Sequence, residues 1–238
     1  MIKIENLLKK FGNKYAVDHI DLEVKPGEIF GFLGPNGAGK TTTIKMMVGL
    51  IEPDEGSINL AGIDMRKNSL EAKRHLSYVP DNPDIYEKMT GIQYLNFLSN
   101  IYKITKNERE KRIKRYAEIF EMEDNLGSFI SSYSHGMKQK ICLIGALIHE
   151  PDIFILDEPM VGLDPKSSFN LKKIMRNRCA EGKSVFFSTH VMEVAEKLCD
   201  RIAIIKDGKI IAVGTLEEIK KQAKDEGSLE KIFLELTI

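Results

Sequence analysis

Apolar and polar residues alternate at the start of the chain, with Ile2, Ile4 and Leu7 followed by Ile20, Leu22 and Val24 before the turn Lys25-Pro26-Gly27-Glu28. A period of two marks strands with one buried face, so the opening residues predict short half-exposed strands in an antiparallel layer. The pattern then becomes continuous. Ile29 to Leu33 and Ile153 to Leu156 are unbroken apolar runs, as parallel strands buried on both faces require. Ser57 to Leu60, Leu76 to Val79, Val185 to Ser188 and Ile202 to Ile205 read as further strands. Helical segments fall between them: Thr42 to Val48, closed by Gly49, then Leu70 to His75, Lys166 to Ala180 and Met192 to Leu198. Strands alternating with helices predict an α/β fold with a mostly parallel sheet. Asp207-Gly208, flanked by Ile204-Ile205 and Ile210-Ile211, predicts a hairpin turn.

From Thr90 to His149 the period of two disappears. Thr90 and Gln93 form a capping-box pair, and Tyr94, Leu95, Leu98 and Ile101, then Ile113, Tyr116, Ala117 and Phe120, recur at helical spacing. We therefore expect one unit in which residues 1–89 and 150–215 form an α/β core and residues 90–149 are a helical insertion. A charged helical tail, 216–238, would dock through Leu229, Ile232, Phe233 and Leu236.

Composition narrows the function. With 238 residues, 42% of them hydrophobic, the chain can bury a substantial core. Lys plus Arg and Asp plus Glu number 35 each, so no overall field favours nucleic acid. The basic run Lys106 to Arg115 is interleaved with Glu108 and Glu110, as on a solvated helix face. Three widely spaced cysteines, Cys142, Cys179 and Cys199, argue for a reducing compartment and against a disulfide framework or a zinc site. The apolar segment Ile141 to Ile148 is too short to cross about 30 Å of hydrocarbon, and the N-terminus lacks a signal-peptide pattern. A cytosolic protein that reaches a membrane only through a partner is the expectation.

The chemistry begins at Gly34-Pro35-Asn36-Gly37-Ala38-Gly39-Lys40-Thr41-Thr42, set between an apolar strand and a helix. Glycines at 34, 37 and 39 let successive backbone N–H groups turn inward around a polyphosphate at the positive helix end. Lys40 would reach the β- and γ-phosphates, and the Thr41 hydroxyl would ligate magnesium. Asp157 ends an apolar strand where a phosphate-loop fold places a carboxylate opposite Thr41, able to hold the same ion. Its neighbour Glu158 is placed to orient or deprotonate the water that attacks the γ-phosphate. His190 ends another strand on the same rim and could bridge that water and the phosphate. His19, His75 and His149 have no such context. Ser134-His135-Gly136 stands at the head of an apolar helix as a second anion-facing helix start. With one phosphate loop already present, it would serve a nucleotide held by another subunit.

Together these residues resemble the ATP-binding subunit of ABC transporters over nearly the whole chain. Gly34 to Thr41 matches the Walker A loop, Ile153 to Asp157 with Glu158 the Walker B strand and catalytic carboxylate, and Gly162 to Asp164 the D-loop. His190 matches the switch histidine, and Ser134 to Gln139 the signature, with His135 and Met137 where the commonest form has glycine and glutamine. That variant and the ending Ser228 to Phe233 are similar to subunits serving ABC-2 type exporters.

The resemblance implies a P-loop NTPase core, ATP and Mg2+ as ligands, and Phe11 stacked on adenine. It implies a homodimer or heterodimer of ATPase subunits at the inner face of the cell membrane, driving a separate membrane permease, and no nucleic acid. The family's Q-loop glutamine falls on Asp81, which could ligate magnesium but adds a negative charge near the γ-phosphate. Rival readings have less support. A soluble ABC-type ATPase acting on ribosomes or DNA would resemble paired cassettes or carry a long coiled coil. A lone P-loop kinase or GTPase has no use for Ser134-His135-Gly136 together with Glu158.

Overall fold

Two sheets meet across one helix. The first is built from β1 (Ile2–Phe11), β2 (Lys14–Val24), β4 (Glu55–Leu60) and β5 (Ile63–Asp64), antiparallel in the order β2-β1-β4-β5. The second contains β3 (Ile29–Leu33), β6 (Leu76–Val79), β7 (Ile153–Leu156), β8 (Ser184–Thr189), β9 (Arg201–Lys206) and β10 (Lys209–Gly214), in the order β10-β9-β3-β8-β7-β6. From β9 to β6 every pairing is parallel, and β10 adds an antiparallel edge through the Asp207-Gly208 hairpin. Both turn residues have positive φ, 48° and 79°, as a two-residue hairpin demands. This computed structural model describes residues 1–83, 85–223 and 229–237.

The apolar runs are continuous because each strand of the second sheet feeds two cores. In β7, Ile153 and Ile155 face the core shared with the antiparallel sheet and α1 (Lys40–Met47), whereas Phe154 and Leu156 face the helices on the other side. Each such fully buried side chain contributes about 1.5–3 kcal/mol. Helix α1 is thus wedged between sheets, with Ile44, Met46 and Met47 all buried.

The opposite face carries α3 (Gly91–Ile101), α4 (Lys106–Phe120), α5 (His135–Leu147) and α6 (Pro165–Ala180), following the short α2 (Ser69–Arg74). The capping box at α3 is present in full: Thr90 Oγ1 accepts from Gln93 N–H at 3.3 Å, and Gln93 Oε1 accepts from Thr90 N–H at 2.9 Å. Beyond β8 come α7 (Met192–Leu198), α8 (Leu216–Ala223) and α9 (Leu229–Thr237). Leu229 and Ile232 are buried against Leu33 and Ala195, with Phe233 partly buried beside them. The side chain of Leu236, expected to dock, and Ser228 of the terminal motif lie outside what the structure describes.

The first strand departs from the sequence expectation. The break in alternation at Lys10-Phe11-Gly12 places Phe11 just after the first strand, yet β1 runs through Phe11, which pairs with Lys14. Register shifts between Ile4 and Leu7 and again around Lys9, with Asn6 at φ 50°, switch the faces without ending the strand.

Candidate functional site: a phosphate loop at the strand ends

The C-terminal ends of β3, β6, β7 and β8 lie on one rim, because the four strands are parallel and in register. From β3 the chain turns through 34–39 into α1. Gly39 adopts φ 112°, and a Cβ there would lie 2.4 Å from the Ala16 carbonyl oxygen, so only glycine fits. Gly34 is equally confined, 2.4 Å from the Ile205 carbonyl oxygen by the same measure. The N-terminus of α1 has no side-chain cap. Its leading N–H groups therefore stay available to an anion, which the helix dipole favours.

A cavity of about 310 Å3 opens over this turn. Phe11, Pro35, Asn36, Gly37, Gly39, Lys40, Thr41, Thr42, Asp81 and Glu158 line it, together with Lys14 and Ala16. Ten of the residues singled out in the sequence thus share one space. Gly34 and Ala38 lie buried in the loop backbone. Lys40 is 6% exposed and donates to the Gly34 carbonyl at 2.7 Å and the Pro35 carbonyl at 3.3 Å. Its Nζ also lies 3.6 Å from Glu158 Oε1. Phe11 is 52% exposed at the cavity mouth, with Lys9 Nζ 5.6 Å from its ring centroid.

Ser188 joins the two acids. Its hydroxyl donates to Asp157 Oδ1 at 2.5 Å and accepts from the Glu158 backbone N–H at 3.0 Å. Sequence reasoning missed this residue, whose partners lie on the neighbouring strand end. Asp157 Oδ2 is buried with no protein partner, while the residue as a whole is 1% exposed. Glu158 holds φ 47°, and its Oε2 lies 3.0 Å from His190 Nδ1. His190 reaches the site through Glu158. Asp81 enters from the loop after β6. Its carboxyl is pushed above the usual carboxylate range, first by burial and then by the negative charges of Asp157 and Glu158, against the opposing pull of His135 and His190.

Ser134 and Gly136 do not join this cavity. Ser134 caps α5, accepting from Met137 N–H at 3.3 Å. Gly136 packs on the next loop so closely that a Cβ would lie 2.6 Å from the Gly162 carbonyl oxygen. Lys140, one turn further along α5, pairs with Asp164 at 2.7 Å. That pairing, with hydrogen bonds from Ser167, holds the Asp164 carboxyl well below the usual range. The three remaining histidines have structural partners: His19 with Asp18, His75 with Asp152, and His149 stacked on Tyr102 at 3.7 Å between ring centroids.

A glycine-built turn feeding an uncapped helix, a buried lysine and a strand-end carboxylate pair define a phosphate-loop nucleotide-binding protein of the α/β class. The family described as ABC transporter matches residues 17–161, and the chain belongs to it. The Escherichia coli (strain K12) protein named "Probable multidrug ABC transporter ATP-binding protein YbhF" is 39% identical over 99% of this chain, which spans 41% of that relative's length. A solved structure described as an ATP-binding subunit of an ABC transporter superposes with a TM-score of 0.95 at 33% identity, covering 99% of both chains. A dimeric post-hydrolysis state of the ATP-binding cassette MJ0796, bound to ADP and Pi, gives a TM-score of 0.82 at 26% identity, covering 91% of this chain and 99% of the other. Among the described residues no helix is long and apolar enough to cross a membrane.

Proposed function

We propose that this chain is the ATPase subunit of an ABC exporter, and that two such subunits close around two ATP molecules to drive a separate membrane permease. The carrying observation is the placement of Glu158: 3.6 Å from the phosphate-loop lysine and 3.0 Å from His190, in the cavity that the glycine loop opens. A carboxylate so placed can accept the proton of a water aligned on the γ-phosphate, with His190 steadying the arrangement. Lys40 binds and neutralises the phosphates, and Phe11 covers the base at the mouth of the cavity.

The residues fit a magnesium ion. Asp157 offers a buried oxygen without a partner, and the Thr41 hydroxyl lines the cavity. An all-oxygen set suits a hard divalent cation, whose chemistry is to neutralise charge on the transferred phosphoryl group. Among the described residues no three His, Cys, Asp or Glu side chains gather to hold a metal.

Ser134 and Gly136 are not among the residues lining this cavity, and a structural relative is a dimer bound to ADP and Pi; both support a role toward a second subunit's ATP. The helices within 90–149 would then act as an arm that follows the nucleotide state and passes it, with the Asp81 loop, to the permease. An export direction is supported by a relative named "Nod factor export ATP-binding protein I". Such a subunit would sit at the inner face of the membrane, held there by its partner.

The test is Glu158→Gln. The variant is expected to bind ATP, to lose hydrolysis by about 100-fold or more, and to accumulate as an ATP-dependent dimer in light scattering. Normal hydrolysis, or a monomer with ATP bound, would overturn the proposal.

A further inference from the structure

The loop after β6 brings a charge into the cavity that phosphate binding does not call for. β6 and β7 are parallel with Val79 opposite Leu156, and the Asp157 N–H donates to the Val79 carbonyl at 2.9 Å. Asp81 follows Val79 by two residues, and Asp157 and Glu158 follow Leu156 directly, so three carboxylates stand on neighbouring strand ends. Asp81 lines the same cavity as Lys40, Thr41 and Glu158. The cationic side chains lining it are Lys14 and Lys40, and Lys40 already lies 3.6 Å from Glu158. The three acids do not form a protein-built metal site. Asp81 stands in the cavity as a carboxylate beside the phosphate-loop residues.

We propose that Asp81 makes capture of ATP conditional on a divalent cation, by repelling the γ-phosphate unless a cation accompanies it. This rests on the nucleotide-binding role proposed above. The Asp81 carboxylate repels a bare triphosphate, and that repulsion falls when a divalent cation offsets part of the phosphate charge. The effect is specific to a triphosphate, because a diphosphate lacks the group nearest the strand ends.

The test measures binding of a fluorescent ATP analogue and the matching ADP analogue to the full chain, each with excess Mg2+ and with excess EDTA. It compares the wild type, Asp81→Asn and Asp81→Glu. The readout is the ratio of dissociation constants, EDTA over Mg2+, within each protein, so a partly unfolded fraction cancels. For the ATP analogue, Asp81→Asn should lower that ratio about tenfold, as expected for one unit charge at close range in a partly screened site. Asp81→Glu should keep the wild-type ratio, and the ADP ratio should move by less than about twofold. A wild-type ratio in Asp81→Asn, or an ADP ratio that falls as far as that of ATP, would overturn the inference. If the wild type binds neither analogue under either condition, the nucleotide-binding reading itself falls, and this inference with it.

Discussion

Helices α1 and α5 both present a helix N-terminus, one after a glycine-rich turn and the other after a serine cap, yet they are finished differently. At α1 the leading N–H groups are left without a side-chain cap, and they sit beside Lys40 and Thr41 of the helix itself and Glu158 and Asp81 from two other strand ends. At α5 the serine caps its own helix, and the nearest support is the Gly162 carbonyl and the Lys140–Asp164 pair. One helix start is enclosed by its own chain. The other is rigidly backed but open in front, the form expected of a surface that completes a site elsewhere. An anion at α1 meets charge, hydroxyl and backbone at once; an anion at α5 would need the rest of its binding site brought to it.

The difference can be broken experimentally. The largest effect is expected from Ser134→Asp, which keeps a competent cap while placing a negative charge at the open helix start. Hydrolysis should fall about tenfold or more through charge repulsion with a partner-held nucleotide, while ATP titration of the isolated chain stays unchanged. A parallel loss in that titration would mean that α5 serves its own chain's cavity. Next comes Ser188→Ala, which strips Asp157 of its hydrogen bond beside the already orphaned Oδ2. Denaturant unfolding should report a loss of about 1–3 kcal/mol, and unchanged stability would mean that the serine bond does not hold the carboxylate. The smallest effect belongs to Phe11→Ala. An exposed ring adds little to the fold, so the melting temperature should hold, while ATP affinity drops by a factor of about 2–10 if the ring stacks on the base. Equal affinity in fluorescence titration would remove Phe11 from the site.

How much of this was legible beforehand depends on how local each relation is. The phosphate loop could be read from nine consecutive residues, because its shape is dictated by backbone freedom at particular spacings. The two-sided burial of β7 was visible as an apolar run, and the Thr90 cap as a pair three residues apart. Ser188 was not visible. Its role arises only when β7 and β8 align with Leu156 opposite Phe187, which brings together residues some thirty positions apart. The Lys140–Asp164 pair is hidden for the same reason, since it joins two segments that the sequence separates by a strand. At Phe11 a bulged strand mimics a strand end, because a register shift erases alternation just as a turn does. His149, without chemical context in the sequence, stacks on Tyr102, and burial pushes its pKa down to about 4.

Glu158 carries a left-handed backbone, φ 47°, at a position where glycine or asparagine would sit more comfortably. The strain is on the order of 1 kcal/mol. A directed-evolution campaign that rewarded thermal resistance alone would therefore be drawn toward E158G or E158N. Each round would improve the scaffold while discarding the group best placed to activate water. Folding economy and catalytic competence pull this residue in opposite directions.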